Sequence, residues 1–518
     1  MKHRIAPIGT LLRSYSTKSG FSVKKSPLQA KKTSFTHEYS VSPTTFQFRL
    51  PSSEHDQHYS FPYSASSPFS ILFEYLSNHP LNGYTTKAFF DLFPLTTFKR
   101  LSKSADRPKK VKMLTGDFID DSLYNPNYGY FSQQAKIFQT ETPFNYENLS
   151  DNDAFISNWS ERYDKYNSKD KALQLWHTPT ELFQPHYGEA IARYLLVNYK
   201  LNLYPYSDLI IYEIGGGNGT LMMNILNFIK RVQPEVYSKT QYKIIEISKN
   251  LSDKQKVNSL KLKIQQSEHD AKIQIINKSI LDWDEYVPEP CFIVGMEVMD
   301  NLSHDVIKYD IETGQPYQGY VVIDEHQDFH QFFSPELDEW TQLYLELRKD
   351  EVDLSENSLF KRGKSNPLAS NKKLAKLKNW LSPFKNSLSE SEFIPTRLLK
   401  MFSVIHEYFP DHQLILSDFD SLPDRSEGYN SPVVQTMIPP NKVVTASTYM
   451  VHQGYFDIMF PTDFHLMRDL YIKICGRIVK TSKQSEFLST WADIEKTTLK
   501  NGENPLLSFY SNASFLHS

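Results

Sequence analysis

Short apolar runs alternate with amphipathic stretches through the middle of this chain. Leu209-Ile-Ile211 opens one run, and Leu221, Ile225, Phe228, Ile229 and Val232 follow it at helical spacing. Comparable runs predict strands at 209–214, 242–247, 273–276, 291–295 and 413–418, with helices between the early ones. Such alternation implies a largely parallel, doubly wound α/β sheet with ligands at the carboxyl ends of its strands. Upstream, Thr115 is placed to cap a short helix that stops at Asn125-Pro126. Thr178-Pro-Thr-Glu181 forms a capping box that leads into the amphipathic stretch Tyr187–Val197. Ile71 to Leu95 is apolar and aromatic enough to pack as helix, whereas 38–70 has no periodicity and reads as a linker or surface wrap.

The interval from about 325 to 412 is too long for a simple crossover. It holds a helical stretch, Leu337–Leu347, then Lys361 to Lys385 with eight Lys/Arg and no acid. That run reads as a solvated insertion, with RNA binding as the alternative, since aromatic interleaving is sparse. The chain thus divides into a leader (1–37), a linker and packing segment (38–110), an N-terminal helical part (111–200), an α/β core (201–325), a helical and basic insertion (326–412) and a segment that completes the sheet (413–518).

Composition changes this picture at one end only. Of the 518 residues 40% are hydrophobic, ample for a core, and the net charge of -3 argues against a dedicated nucleic-acid binder. Residues 1–37, however, carry eight Lys/Arg and no Asp or Glu among many hydroxyl side chains, the profile of a mitochondrial transit peptide, with matrix processing after Tyr15. Two cysteines, Cys291 and Cys475, read as buried thiols in a reducing compartment. No apolar run reaches the length of a membrane span.

The candidate chemistry begins at Tyr212-Glu-Ile-Gly-Gly-Gly-Asn-Gly-Thr220. Thr220 stands where a dinucleotide fingerprint needs its third glycine, and no P-loop Lys is present. What remains is the pattern of an S-adenosylmethionine site, with Gly215, Gly217 and Gly219 letting a nucleoside and amino-acid tail lie on bare backbone. Glu246, at the end of the next strand, suits the two ribose hydroxyls. Asp282 suits the adenine amino group, with Trp283 nearby for packing. Glu213 either orders the loop or meets the methionine ammonium. Beyond the fourth strand, Glu297 and Asp300 sit where a methyl acceptor belongs. A carboxylate pair there can hold a guanidinium fork, aim one nitrogen at the methyl group and receive its proton. Scattered histidines and the lone His406-Glu407 give no metal motif.

Taken together, the segments resemble the MidA-like mitochondrial methyltransferases, assembly factors for respiratory complex I regarded as protein-arginine methyltransferases. Asp117-Phe-Ile with Asn125-Pro-Asn-Tyr-Gly-Tyr-Phe131, Thr178-Pro-Thr-Glu-Leu-Phe with Tyr187-Gly-Glu-Ala190, Glu213 to Leu221 with Glu246-Ile-Ser248, and Gly295 to Leu302 carry the match in family order. Gln453 to Phe464 resembles a late family segment. The resemblance implies a class I SAM-dependent methyltransferase with a Rossmann-like doubly wound sheet, S-adenosyl-L-methionine as cofactor, no metal, and an arginine of a complex I subunit as acceptor in the mitochondrial matrix. It also implies that Glu297 orients the acceptor with Asp300. Met296, Ser303 and the strand end Asp418-Phe-Asp420 depart from the family pattern, all near the acceptor side. Two alternatives therefore stand: a non-catalytic scaffold retaining the pocket, and an RNA methyltransferase.

Overall fold

The computed structural model describes residues 36–41, 86–133, 135–138, 142–169, 174–247, 263–311, 313–349, 388–438 and 442–518, with Thr140, Leu260 and Lys261 besides. The leader through residue 35, most of the linker, the start of the Ile71–Leu95 stretch and the Lys361–Lys385 run lie outside them.

The five strands predicted for the core are all present. In chain order they are β1 (Ile210–Ile214), β2 (Gln241–Glu246), β3 (Ile273–Asn277), β4 (Cys291–Met296) and β5 (His412–Phe419). Two later strands, β6 (Lys480–Lys483) and β7 (Ala513–His517), complete a seven-stranded sheet of order β6-β7-β5-β4-β1-β2-β3. The first five run parallel; β7 is antiparallel to both β5 and β6. The chain winds outward from β1 through β3, then returns to β4 on the other side of β1. That reversal splays the connections after β1 and β4 apart and opens a crevice at their carboxyl ends.

Both faces of the sheet are covered, which is why its strands read as near-continuous apolar runs. Ile211, Phe292, Val294 and Phe515 pack with Leu221, Ile225 and Leu195 on one side. Tyr212, Ile293 and Leu416 pack with Leu399, Phe402 and Leu470 on the other. Each such aliphatic or aromatic side chain contributes about 1.5–3 kcal/mol on leaving water. In the helix Thr220–Val232 the buried positions are Leu221, Ile225, Phe228 and Ile229 as expected, but Val232 is exposed and Met222 and Leu226 are buried instead. The last turn of the helix has left the sheet by Val232, so the apolar face ends before it.

A second sheet has no counterpart in the predicted elements. Thr36–Val41, Phe329–Ser334, Pro316–Ile323, Asp305–Tyr309 and Glu392–Ile394 pair antiparallel in that order, and Val111–Leu114 adds to Pro316–Ile323. Part of the expected helical insertion is therefore strand, although Glu339–Lys349 and Thr396–Tyr408 are helices. The polar residues Lys308, Gln318, His330 and Gln331 interrupt the apolar pattern of these strands, yet all four are buried. They remove the signal that identifies the parallel strands. Likewise Thr36–Val41, which by sequence ends a leader and starts a linker, is a strand.

The N-terminal helix spans Thr115–Tyr124, with Leu114 and not Thr115 at the cap position. Thr115 Oγ1 instead donates to the carbonyl of Gly319 at 3.3 Å, and Asp305 supplies a cap by accepting from Gly116 N at 2.9 Å. Arg397 fastens this helix to the core through Asp120 at 2.8 Å and Asp117 at 3.5 Å. Cys291 and Cys475 are buried free thiols. Among the described residues no helix is long and apolar enough to cross a membrane.

Candidate functional site

The glycine turn leaves β1 and enters the helix Thr220–Val232 in the crevice. Gly215, Gly217 and Gly219 all have positive φ, at 72°, 49° and 71°, a conformation that costs an L side chain about 1–2 kcal/mol. Gly219 N donates to Gly216 O at 2.8 Å and closes the turn, while Gly215 N donates to Ile245 O at 3.0 Å. That second bond brings the end of β2 beside the turn, so Glu246 leaves the sheet next to it. The free N–H groups at the start of the helix face the same space and favour an anionic group there.

The capping box at Thr178 forms only in half. Thr178 Oγ1 accepts from Glu181 N at 3.2 Å, but the Glu181 carboxylate turns away from the cap. Its Oε1 accepts from Asn218 Nδ2 at 3.0 Å and from Thr220 Oγ1 at 2.9 Å, both in the glycine turn. The other oxygen, Oε2, is buried without a hydrogen-bond partner. Lys263 Nζ joins the same cluster, donating to Asn218 O at 3.0 Å and Thr220 Oγ1 at 3.2 Å.

Across the crevice the turn after β4 carries Glu297 and Asp300. Glu297 N donates to Ser417 O at 2.8 Å, extending the β4–β5 ladder by one residue, and its φ is 56°. This left-handed conformation is costly for a glutamate and ends the strand abruptly. Asp418, at the end of β5, accepts from Met299 N and Asp300 N through Oδ2 and so holds the turn. Asp457 approaches from the strand Asp457–Met459 and accepts from Asn301 Nδ2 at 2.9 Å.

Four carboxyl groups thus converge. Burial, the Asp418 charge and the Glu181 charge raise Glu297 well above the usual carboxylate range. Asp300 is raised in the same way, by burial and then by Asp418, Asp457 and Glu297. Burial pushes Asp418 to about 6 and Asp457 to about 7, against hydrogen bonds that hold them down. Asp300 Oδ1 and the Tyr510 hydroxyl are buried with no partner. Among the described residues no Lys, Arg or His nitrogen lies within ion-pair distance of these four acids. Nor, among those residues, are three or more His, Cys, Asp or Glu side chains grouped as metal ligands. Carboxyl groups raised in this way, some of them without a partner, would be favoured in their ionised forms by a nearby cation.

The remaining expected residues divide. Glu246 is half-buried at the end of β2, beside the turn. Asp282 is exposed in the short helix Ile280–Asp282 that follows β3. Trp283 is buried in the core and packs against Phe409 and Tyr212, with ring centroids 5.1 and 5.9 Å away. Glu213 is buried within the sheet. Its Oε2 accepts from the buried Tyr242 hydroxyl at 2.9 Å, and burial pushes it to about 8, so it ties β1 to β2 from the interior.

The departures near the acceptor side have partners of their own. Met296 Sδ accepts from the Tyr187 hydroxyl at 3.7 Å, and Ser303 Oγ donates to Asp120 at 2.6 Å, beside Arg397. The sequence does not single out Asp418, Asp457, Glu181 or Tyr510 as site residues. An acid at the end of β5 is legible in principle, since β5 neighbours β4. Asp457 and Tyr510 come from remote segments and carry no local signal.

Known proteins similar to this chain are methyltransferases. A family model described as "Putative S-adenosyl-L-methionine-dependent methyltransferase" matches residues 190–482. A Schizosaccharomyces pombe protein named "Protein arginine methyltransferase NDUFAF7 homolog, mitochondrial" is 23% identical over 381 residues, covering 70% of this chain and 76% of that protein. Its Saccharomyces cerevisiae namesake is 23% identical over 457 residues, covering 82% of this chain and 96% of that protein. A solved structure from Burkholderia thailandensis with bound S-adenosyl-homocysteine matches with a TM-score of 0.47 and 12% identity, covering 78% of this chain and 87% of that one. The family match spans more than half of the chain and includes both the glycine turn and the acidic turn after β4. The chain belongs to this family of S-adenosyl-L-methionine-dependent methyltransferases, and its sheet is the class I methyltransferase fold.

Proposed function

We propose that this methyltransferase acts on arginine side chains of proteins in the mitochondrial matrix, a complex I subunit among them. The observation that carries the reading is the acid pocket at Glu297, Asp300, Asp418 and Asp457, with Asp300 Oδ1 unpartnered and no cation near among the described residues. A guanidinium is planar, always charged and rich in donors, which suits such a pocket better than any neutral acceptor. The names of the two yeast relatives and the basic leader support the acceptor type and the compartment.

In this reading Gly215, Gly217 and Gly219 shape the cofactor turn, Glu246 takes the ribose hydroxyls and Asp282 the adenine amino group. Bound S-adenosylmethionine supplies an electrophilic sulfonium methyl. Glu297 and Asp300 grip the guanidinium and align one nitrogen with it, at roughly 3 Å for a near-attack geometry. With the cofactor bound, its methyl group would pass to that nitrogen and leave the S–C electron pair on sulfur, while Glu297 would take the nitrogen's proton. The raised proton affinity of Glu297 suits it to that task.

Mass spectrometry of mitochondrial proteins from cells carrying wild type or Glu297→Ala tests the proposal. Loss of specific methylarginines in the variant is expected. An unchanged methylation pattern would sink it in favour of a scaffold, and loss of methylated RNA instead would point to the RNA alternative.

A further inference from the structure

Glu181 lies outside the 190–482 family match and has only a cap role in the sequence reading, yet the fold bonds its carboxylate to the glycine turn. It is 3% exposed. One carboxylate oxygen is fully used by Asn218 and Thr220 of the glycine turn, and the other is buried with no donor. A buried carboxylate oxygen without a donor is costly, about 1–3 kcal/mol or more, unless something else supplies one. Burial raises this carboxyl, against the hydrogen bonds of Asn218 and Thr220 and the charge of Lys263, so a bound cation would stabilise its ionised form.

The missing donor has a definite chemistry. A sulfonium carries no N–H or O–H and cannot satisfy Oε2. An acceptor guanidinium can, but although the Glu181 charge reaches Glu297, its hydrogen bonds are to the glycine turn and not to the turn that carries Asp300. The α-amino group of the cofactor's methionine moiety is cationic, has three donors and belongs beside a glycine turn. Lys263 and the free N–H groups of the helix Thr220–Val232 offer the opposite charge within the same cluster. An acid and a base flanking one turn match the two ends of an amino-acid zwitterion. We propose that Glu181 Oε2 binds the α-ammonium of the methionine moiety of S-adenosylmethionine. Glu181 would then anchor the N-terminal helical part to the cofactor and fix the tail from which the methyl group projects.

The inference rests on cofactor binding by this chain and is tested by calorimetry on two ligands. One is S-adenosylhomocysteine; the other is its analogue lacking only the α-amino group. Glu181→Gln keeps the size of the side chain and an oxygen for Asn218 and Thr220. It is expected to weaken S-adenosylhomocysteine about tenfold or more, the scale of a charged hydrogen bond, and to leave the desamino analogue unchanged. Wild type should lose a similar factor when the amino group is removed. Equal weakening of both ligands by the variant would assign Glu181 to loop structure alone and overturn the proposal. No weakening of either would overturn it as well. If wild type binds neither ligand, the cofactor reading itself falls, and the proposal with it.

Discussion

Asp418 Oδ2 accepts the main-chain N–H groups of Met299 at 2.7 Å and Asp300 at 3.1 Å, so the end of β5 holds the acid-bearing turn after β4. Two sheet strands that are distant in sequence thus define one side of the crevice. Asp418→Ala leaves both N–H groups buried and unpaired, and should cost about 2–4 kcal/mol. Asp418→Asn keeps one acceptor oxygen and should cost less than half of that. Urea unfolding of the two variants gives the comparison; equal and small losses would show that the turn holds itself.

Glu297→Gln should separate binding from chemistry. The amide cannot take the proton, so methyl transfer is expected to slow by about 10²–10⁴-fold. Affinity for S-adenosylmethionine should stay within about twofold, because the role proposed for Glu297 is with the acceptor. Single-turnover transfer and calorimetry on the same preparation measure the two quantities. A parallel collapse of cofactor affinity would move Glu297 to the other half of the site.

Gly217 has φ 49°, and a Cβ added to it would lie 3.4 Å from Ile137 Cδ1, an ordinary van der Waals contact. Gly217→Ala therefore costs backbone strain alone, about 1–2 kcal/mol. Gly217→Arg adds bulk where the cofactor must lie, and should abolish its binding heat while the protein stays folded. Retained binding by the arginine variant would remove the turn from the site.

The acid pocket makes a pH prediction with a definite sign. Asp457 and Glu213 bind protons in the fold up to about 7 and about 8, whereas unfolded carboxyls release theirs at about 4. Their folded values are raised, so the stability they contribute is complete below about pH 4 and is lost as pH rises through the folded values. Below about 6.5 the buried histidines His304 and His412, lowered to about 4 by burial, act in the opposite direction. From about pH 6.5 to about 8 the carboxyls dominate, and ligand-free stability should fall by up to about 1.4 kcal/mol per pH unit for each titrating group. Asp457→Asn should remove the part of the decline that runs up to about pH 7 and leave the part above it. Urea midpoints across that range provide the measurement; identical profiles for variant and wild type would contradict it.

The doubly wound core, the glycine turn and the acids at the ends of β2 and β4 are legible in the order of residues alone. These are local features: strands buried on both faces are apolar throughout, a turn with three positive φ angles needs glycine, and a strand end is readable from where its apolar run stops. Everything else depends on packing between remote segments. The second sheet is hidden because buried polar residues such as His330 and Gln331 break its pattern. Three-dimensional packing makes Trp283 and Glu213 part of the interior, which their places in the sequence do not reveal. Asp457, Tyr510 and Glu181 reach the crevice from segments far apart in the chain, and no spacing rule connects them. Above all, the raised proton affinity of Glu297 and Asp300 arises from burial and from the charges of neighbouring acids. Neither exists until the chain has folded, which is why sequence can name the acids and only the folded chain sets their proton affinity.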